Sequence, residues 1–168
     1  ERFALPELVI YRILMINIRI SSMSDKHFDV LVIGAGFGGL ATAAALRRYG
    51  VGRVGLLDGG HCYGNFWTTN YDHISLHTAW HGMPDDGGDN ERYAMFKPRD
   101  ELLDYFDRYA ERHHLAELTH FGVTVSGIER DTTNVNHRWL VHTNSDDYRA
   151  RFVVVATGHC RCPYSPRF

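Results

Sequence analysis

The sequence lacks the markers of several classes of protein. Its three cysteines, Cys62, Cys160 and Cys162, form no C-x-x-C and are odd in number. They therefore predict reduced thiols and a cytoplasmic setting rather than a disulfide framework. The formal net charge is only −2 and the basic residues are scattered, which argues against nucleic acid or an anionic membrane as a partner. No apolar run approaches the roughly 18–20 residues that a membrane span requires.

Common signatures of metal and hydrolytic chemistry are also missing. The 11 histidines include no H-E-x-x-H and no comparable ligand spacing, so we expect no metal site. There is no G-x-S-x-G, and no cysteine–histidine pair stands in a context that would make a nucleophile. The sequence therefore predicts no side-chain nucleophile of these types.

The first 26 residues differ from the rest of the chain. Residues 8–20 are apolar but are interrupted by Arg12, Asn17 and Arg19, and Met23 stands just before the first predicted strand. We expect residues 1–26 to be an N-terminal extension outside the fold and residues 27–168 to form one domain. A mitochondrial presequence is the alternative that the arginines leave open.

A glycine motif between a strand and a helix is the central feature of the sequence. A strand is predicted at 29–33, because residues 30–33 are apolar and mostly β-branched, as in a strand buried on both faces, and residues 37–48 are rich in alanine, as in a helix. Gly34, Gly36 and Gly39 between them form G-x-G-x-x-G. In this context the motif predicts a dinucleotide-binding turn, with a diphosphate at the helix N-terminus. The alternative is a glycine-rich turn without a ligand.

An acidic residue stands where such a site requires one. Asp58 follows a second apolar segment, residues 54–57, within a strand predicted at 53–57, and lies 19 positions beyond Gly39. Its carboxylate can accept hydrogen bonds from both ribose hydroxyls of an adenosine and would repel a 2′-phosphate, which favours FAD or NAD over NADP. The alternative is a solvated aspartate in a turn.

The remaining segments predict an α/β fold. Residues 59–90 are irregular but rich in aromatic side chains, which predicts a functional loop with its tip at 85–90. An amphipathic helix is predicted at 99–114, with an apolar stripe of Leu102, Leu103, Phe106, Tyr109 and Ala110. Strands are predicted at 121–129, 139–143 and 148–157. The turn Ala156-Thr157-Gly158 lets backbone approach a ligand at the edge of the sheet.

Several pieces, in order, resemble the flavin-containing monooxygenases, including the YUCCA-type branch and the Baeyer–Villiger relatives. The resemblance covers residues 28–168, and the order and spacing of its pieces are more specific than any one of them. The matching pieces are residues 32–40, Asn65-Phe66-Trp67, residues 71–78, the helix with Tyr105-Phe106 and Tyr109-Ala110, Phe121-x-x-x-Val125-x-x-Ile128, and residues 154–159.

The resemblance implies a Rossmann-like FAD-binding domain with a parallel sheet, flanking helices and a small antiparallel β layer. It would be part of a truncated two-dinucleotide-binding flavoprotein, whose NADPH-binding domain would lie beyond Phe168. The cofactor-binding residues that the resemblance implies are Gly34, Gly36, Phe37, Gly38, Gly39, Asp58, Gly59, Asn65, Phe66, Trp67, His77, Val125, Ala156, Thr157 and Gly158.

The chemistry implied is that of an NADPH-dependent monooxygenase. Reduced FAD would bind O2 as a C4a-(hydro)peroxyflavin and pass one oxygen atom to a small organic substrate. His77 is the one catalytic candidate, because it stands near the flavin's reactive edge in the matching pattern. Asp58 replaces a more usual glutamate and Asn65 a common glycine. We expect the chain to be inactive in hydride transfer by itself. The alternatives are another FAD/NAD(P)-dependent oxidoreductase, such as a disulfide reductase, or a non-catalytic nucleotide-binding module.

Overall fold

The structure is a computed structural model that describes residues 26–77, 79, 94–136, 138–159 and 164–167. The predictions for the N-terminal extension, the loop tip at 85–90, and Cys160 and Cys162 lie outside these residues. The elements in chain order are β1 (His27–Ile33), α1 (Phe37–Arg48), β2 (Val54–Asp58), α2 (Asn65–Thr68), α3 (Arg99–Arg112), a 3-10 turn (Ala116–Leu118), β3 (Thr119–Phe121), β4 (Val125–Arg130), β5 (Trp139–Thr143) and β6 (Tyr148–Val155).

The predicted β-α-β unit is present. Strand β1 is apolar over most of its length, and β2 pairs with it in parallel, with Val30 opposite Val54 and Ile33 opposite Leu57. Helix α1 begins at Phe37 and ends at Arg48, as the alanine-rich sequence predicts. Because β1 and β2 are parallel, their carboxyl ends meet at one edge of the sheet, and the glycine motif follows β1 at that edge.

The six strands form one sheet in the order β3-β2-β1-β6-β5-β4. Strands β3, β2, β1 and β6 are parallel to one another. Strand β5 pairs with β6 in antiparallel orientation, and β4 pairs with β5 in antiparallel orientation. The single strand predicted at 121–129 is wrong, because the chain forms two strands there. Gly122 separates them with a φ of 71°, a left-handed conformation that cannot continue a strand.

This split makes the sheet fold over on itself. If the sheet were flat, the five spacings from β3 to β4 would separate these strands by about 24 Å. The chain from Phe121 to Val125 can span only about 14 Å. The β4–β5 hairpin therefore lies across one face of the parallel strands, and this is the small antiparallel layer that the sequence resemblance implies.

Two apolar cores hold the resulting three layers together. Val30 and Val32 of β1 face the helices and pack with Leu40 of α1 and Phe106 of α3. The alternating residues, Leu31 and Ile33, face the hairpin and pack with Val141 of β5. A strand with one apolar set for each face is what a sheet covered on both sides requires.

Helix α3 differs from its prediction in one buried position. The residues buried on its inner face are Leu102, Tyr105, Phe106, Tyr109 and Ala110, so Tyr105 is buried and the predicted Leu103 is only half-buried. Asp100 and Glu101 lie in its first turn and Arg112 in its last, as expected from the helix dipole. The helix ends at Arg112 because His114 adopts a φ of 52°.

None of the helices among the described residues combines the length and the apolar character that crossing a membrane requires. No group of at least 3 His, Cys, Asp or Glu side chains among them is placed to hold a metal ion.

Candidate functional site

A cavity of about 850 Å³ opens at the carboxyl edge of the parallel sheet. This volume lies within the range of small-molecule and cofactor sites, roughly 300–1,000 Å³. The cavity is bounded by the turns that follow β1, β2 and β6, by the 64–70 segment, and by the hairpin. Its described lining residues are Ile33, Gly34, Gly36, Phe37, Gly38, Leu57, Asp58, Gly59, Gly60, Gly64, Asn65, Phe66, Trp67, Thr69, Asn70, Val123, Val125, Ile128, Val155, Ala156, Thr157, Gly158 and His159.

The glycines of the motif occupy two different environments. A Cβ on Gly34 would lie 2.4 Å from the carbonyl oxygen of Ala156, and one on Gly39 would lie 1.7 Å from the carbonyl oxygen of Gly34. A Cβ on Gly36 would meet no protein atom within 4 Å. Gly34 and Gly39 are thus required by close packing, whereas Gly36 keeps its backbone open to the cavity.

Asp58 joins the turn after β1 to the turn after β2. Its Oδ2 accepts a hydrogen bond of 2.7 Å from the backbone N–H of Ala35, and its Oδ1 accepts one of 2.7 Å from the N–H of Gly60. Each carboxylate oxygen has a second lone pair, so this geometry leaves acceptor capacity toward the cavity.

The 60–67 segment is fixed by packing against α3. The N–H of Gly64 donates to the carbonyl of Ala35 at 2.9 Å. A Cβ on Gly64 would lie 2.3 Å from the ring of Phe106, and that ring also packs edge-on against Phe37 at 4.6 Å between centroids. The Asn65 side chain lies over Gly60, because a Cβ on Gly60 would be 2.1 Å from the Cγ of Asn65. Buried Phe106 therefore sets the position of two walls of the cavity.

The hairpin and β6 supply the remaining walls. The N–H of Val123 donates to the carbonyl of Asp58 at 2.9 Å, which ties the start of the hairpin to the end of β2. The N–H of Ala156 donates to the carbonyl of Ile33 at 2.8 Å, and Thr157 and Gly158 follow at the cavity.

The structure brings together most of the residues that the sequence predicts for the site. All of them line the cavity except Gly39, which lies beneath it against Gly34, and His77. His77 is exposed, just beyond the bridge between Ser75 and Pro98, and is absent from the described lining.

Sequence reasoning missed several lining residues. Gly60 and Gly64 stand between predicted site residues, and Ile128 and His159 belong to the pieces that match the family, so the sequence could have identified these four. No motif or neighbouring prediction points to Thr69, Asn70 or Val123. The missed residues are Ile33, Leu57, Gly60, Gly64, Thr69, Asn70, Val123, Ile128, Val155 and His159.

The charge of the lining is small. Asp58 is its one carboxylate, and no lysine or arginine is among the described lining residues. An anionic ligand would therefore be held by backbone N–H groups. Beside the cavity, burial raises the pKa of the Cys62 thiol, and the charges of Asp107 and Asp58 add to the rise. Cys62 is thus kept as a protonated, weakly nucleophilic thiol.

Comparison with protein families matches residues 31–168 to the family described as pyridine nucleotide-disulphide oxidoreductase. Among curated proteins, a "Baeyer-Villiger monooxygenase" of Streptomyces coelicolor is 33% identical over 135 residues, which are 77% of this chain and 22% of that protein. "Probable indole-3-pyruvate monooxygenase YUCCA1" of Arabidopsis thaliana is 30% identical over 144 residues, covering 81% of this chain and 32% of its own length.

A solved structure shares the fold. The structure described as OTEMO in complex with FAD and NADP superposes with a TM-score of 0.70 and 25% identity, over 83% of this chain and 27% of that one. The chain thus spans less than a third of the length of these relatives. The resemblance to flavin monooxygenases and the Rossmann-like α/β fold are both confirmed. Because the family match covers most of the sequence, the chain belongs to the pyridine nucleotide-disulphide oxidoreductase family.

Proposed function

We propose that this chain binds FAD in the cavity at the carboxyl edge of its parallel sheet, as the FAD-binding portion of an NADPH-dependent flavoprotein monooxygenase. The observation that carries the proposal is the open backbone at Gly36, which faces a cofactor-sized cavity at the N-terminus of α1. The names of the relatives support the same reaction class.

The turn after β1 fits a diphosphate. The first N–H groups of a helix lack intrahelical partners and carry the positive end of the helix dipole. The N-cap of α1 is Gly36, which offers no side-chain cap, and the first turn holds no acidic residue. Phe37 and Gly38 continue this backbone at the cavity. An anion can therefore approach the helix N-terminus without meeting a side chain or a negative charge.

Asp58 fits the adenosine ribose. Its two hydrogen bonds to Ala35 and Gly60 orient the carboxylate beside the diphosphate position. The remaining lone pairs would accept hydrogen bonds from the ribose hydroxyls, and the negative charge would disfavour a 2′-phosphate. Gly59 keeps the neighbouring backbone free of a side chain.

The flavin end would lie between the 65–67 segment and the turn after β6. The rings of Phe66 and Trp67 pack edge-on at 5.9 Å between centroids, and Trp67 also packs against the helix-side core. Thr157 and Gly158 bound the opposite side of the cavity. These residues would orient the isoalloxazine ring and exclude water from it.

When bound, FAD would supply hydride acceptance and the transfer of one oxygen atom from O2 to a small organic substrate. The chain's own part is binding, orientation and exclusion of water. We propose that the NADPH site is formed by sequence that these residues do not include. The one G-x-G-x-x-G of the described residues that follows a strand and opens a helix, Gly34 to Gly39, is assigned here to FAD. The second match, Gly50 to Gly55, leads from α1 into β2 and lacks that context. A flavin-proximal role of His77 stays a prediction, as does the cytoplasmic setting.

Disulfide reduction is the second reading, and the family description names it. The sequence gives it little support, because none of the three cysteines forms a C-x-x-C. Cys62 also has a raised pKa, the opposite of what a redox-active thiol requires. A non-catalytic nucleotide-binding module is the third reading.

Flavin content and NADPH consumption of the purified chain test the proposal. After incubation with FAD and desalting, the chain should retain stoichiometric, yellow FAD. With NADPH added, it should consume NADPH no faster than free FAD does. Absence of bound flavin would contradict the FAD site, and FAD-dependent NADPH oxidation above that background would contradict the absence of an NADPH site.

A further inference from the structure

One wall of the cavity consists of α2 and the two residues that follow it, Thr69 and Asn70, and we call residues 65–70 the α2 wall. No residue of α2 is buried, although Trp67 packs partly against the helix-side core. The Thr69 hydroxyl and the Asn70 amide donate hydrogen bonds to the carbonyl of Phe66, at 2.9 and 2.7 Å, and these bonds stay within the wall. The position of the α2 wall therefore depends strongly on how its two ends are held.

Arg99, the first residue of α3, holds the far end of the α2 wall. Its Nη1 donates a hydrogen bond of 3.4 Å to the carbonyl oxygen of Asn70 and one of 3.1 Å to Oδ1 of Asp72. Its backbone N–H donates to the carbonyl of Ile74 at 3.0 Å. The near end of the wall follows Gly64, which packs against the ring of Phe106 of the same helix. The chain that enters the wall and the chain that leaves it are thus both fixed against α3.

The place of Arg99 in α3 indicates a role outside the helix. The positive end of the helix dipole disfavours a cation in the first turn. Asp100 and Glu101, which the dipole favours, follow it, and Nε of Arg99 lies 3.2 Å from Oδ1 of Asp100. A guanidinium has five N–H donors in a planar fork, so it can bind this carboxylate and the 70–72 segment together. The reach to residues 70–72 explains an arginine here, whereas the helix itself does not.

We propose that Arg99 is a positioning residue for the flavin half of the cofactor: through Asn70 and Asp72 it holds the α2 wall at a fixed distance from the turn after β6. The inference rests on the proposed FAD site, which puts the flavin between these two walls. Arg99 is not among the described lining residues, so it acts through the wall and does not touch the ligand.

Ligands with and without a flavin test this role. The chain is titrated with FAD and with ADP, which carries the adenine, the ribose and the diphosphate but no flavin. Arg99→Gln should raise the Kd for FAD roughly three- to tenfold, because the hydrogen bonds of a charged donor to the wall are lost, and leave the Kd for ADP unchanged. The fluorescence of the bound flavin should differ from that in the wild type. The thermal midpoint without ligand should change little, since partly exposed ion pairs contribute little to stability.

Asp72→Asn tests the same contact from its other side. Asp72 is 86% exposed and is not among the described lining residues, so this change is compatible with folding. It should weaken FAD in the same direction and leave ADP unchanged. In the double variant, Asp72→Asn should add nothing to the effect of Arg99→Gln, because the contact is already broken. If Arg99→Gln does not fold, the titrations of Asp72→Asn decide the question alone.

The matched control is Arg108→Gln. Arg108 lies on the same helix and pairs with Asp104 at 3.3 Å, without contact to the α2 wall, so neither titration should change. If the wild type binds FAD and Arg99→Gln does not weaken it, or weakens ADP equally, the role of Arg99 is wrong while the FAD site stands. Additive effects of the two changes would also contradict it. If the wild type binds neither FAD nor ADP, the proposed function fails and this inference fails with it.

Discussion

The backbone N–H of Ala35 donates a hydrogen bond of 2.7 Å to Oδ2 of Asp58, which lies 23 residues further along the chain. The other carboxylate oxygen of Asp58 accepts from the N–H of Gly60. A residue expected to hold the ribose therefore also holds together the two turns that surround the ligand. Loss of its charge should weaken both the fold of these turns and the binding of the cofactor.

Asp58→Asn tests this double role. An amide has one acceptor oxygen, so its NH2 group would face the N–H of either Ala35 or Gly60, donor against donor. Hydrogen bonds to charged groups contribute roughly 1.5–3 kcal/mol, so the Kd for FAD should rise by at least about tenfold and the thermal midpoint should fall. Asp104→Asn, which removes a surface ion pair with Arg108, is the control and should change both values little. Equal behaviour of the two variants would contradict the role of Asp58.

Gly39→Ala should damage the fold rather than the ligand site. Its Cβ would lie 1.7 Å from the carbonyl oxygen of Gly34, so α1 would have to move away from β1. Overpacking of this kind costs about 1–3 kcal/mol or more, which should lower the thermal midpoint clearly. Gly127→Ala is the control, because its Cβ would make an ordinary contact of 3.6 Å with His142. A thermal midpoint for Gly39→Ala as high as that of the control would show that α1 and β1 are not this close.

Phe106→Ala should destabilise the protein and open the cavity together. Phe106 is fully buried and packs against both Phe37 and Gly64, which belong to two walls of the cavity. Buried phenylalanine truncations cost about 3–5 kcal/mol, measurable by urea unfolding, and FAD affinity should fall because both walls lose their support. Leu103→Ala, on the half-buried flank of the same helix, should cost less. A smaller loss for Phe106 than for Leu103 would contradict this packing.

His142 should make the stability of the hairpin depend on pH. Its Nδ1 lies 3.0 Å from Asp147 and its Nε2 3.3 Å from Glu129, and hydrogen bonds to these two carboxylates raise its pKa above 6.5. Because the folded pKa is the higher one, this stabilisation is fully present below pH 6.5 and is lost as the pH rises through the raised value.

Thermal midpoints of wild type and His142→Gln across this pH range measure the effect. The wild type should exceed the variant most below pH 6.5, and the difference should shrink as the pH rises. A difference that does not change with pH, or that grows toward alkaline pH, would contradict the charged pairing.

The sequence predicts well those parts of this fold that depend on local periodicity. The bounds of α1 and the parallel pairing of β1 with β2 follow from an apolar run, a glycine turn and an alanine-rich helix. The break at Gly122 was not predictable in this way, because Val123, Val125 and Ile128 read as one apolar strand. Only the strand order, together with the short connection from β3 to β4, shows that the chain passes here from the parallel strands to the antiparallel layer.

In the candidate site too, the sequence identifies residues of a local motif but not those that tertiary packing brings together. The residues of the glycine motif and Asp58 belong to a contiguous pattern with known spacing, so the sequence could identify them. Asn70, Val123 and Ile128 reach the cavity through tertiary packing and, for Ile128, through a β-bulge that no periodicity reveals. His77 stands near the flavin only in the family pattern, and the described cavity does not include it.

Gly36→Ala provides the most direct test of the account. A Cβ at Gly36 would touch no protein atom, and the φ of −93° there suits alanine, so the variant should fold with the thermal midpoint of the wild type. The new methyl group would occupy the space assigned to the diphosphate. Titration of both proteins with FAD should therefore give saturable binding to the wild type and a Kd at least about tenfold higher for the variant. Equal FAD affinity of the two folded proteins would contradict the claim that this turn holds the diphosphate of FAD.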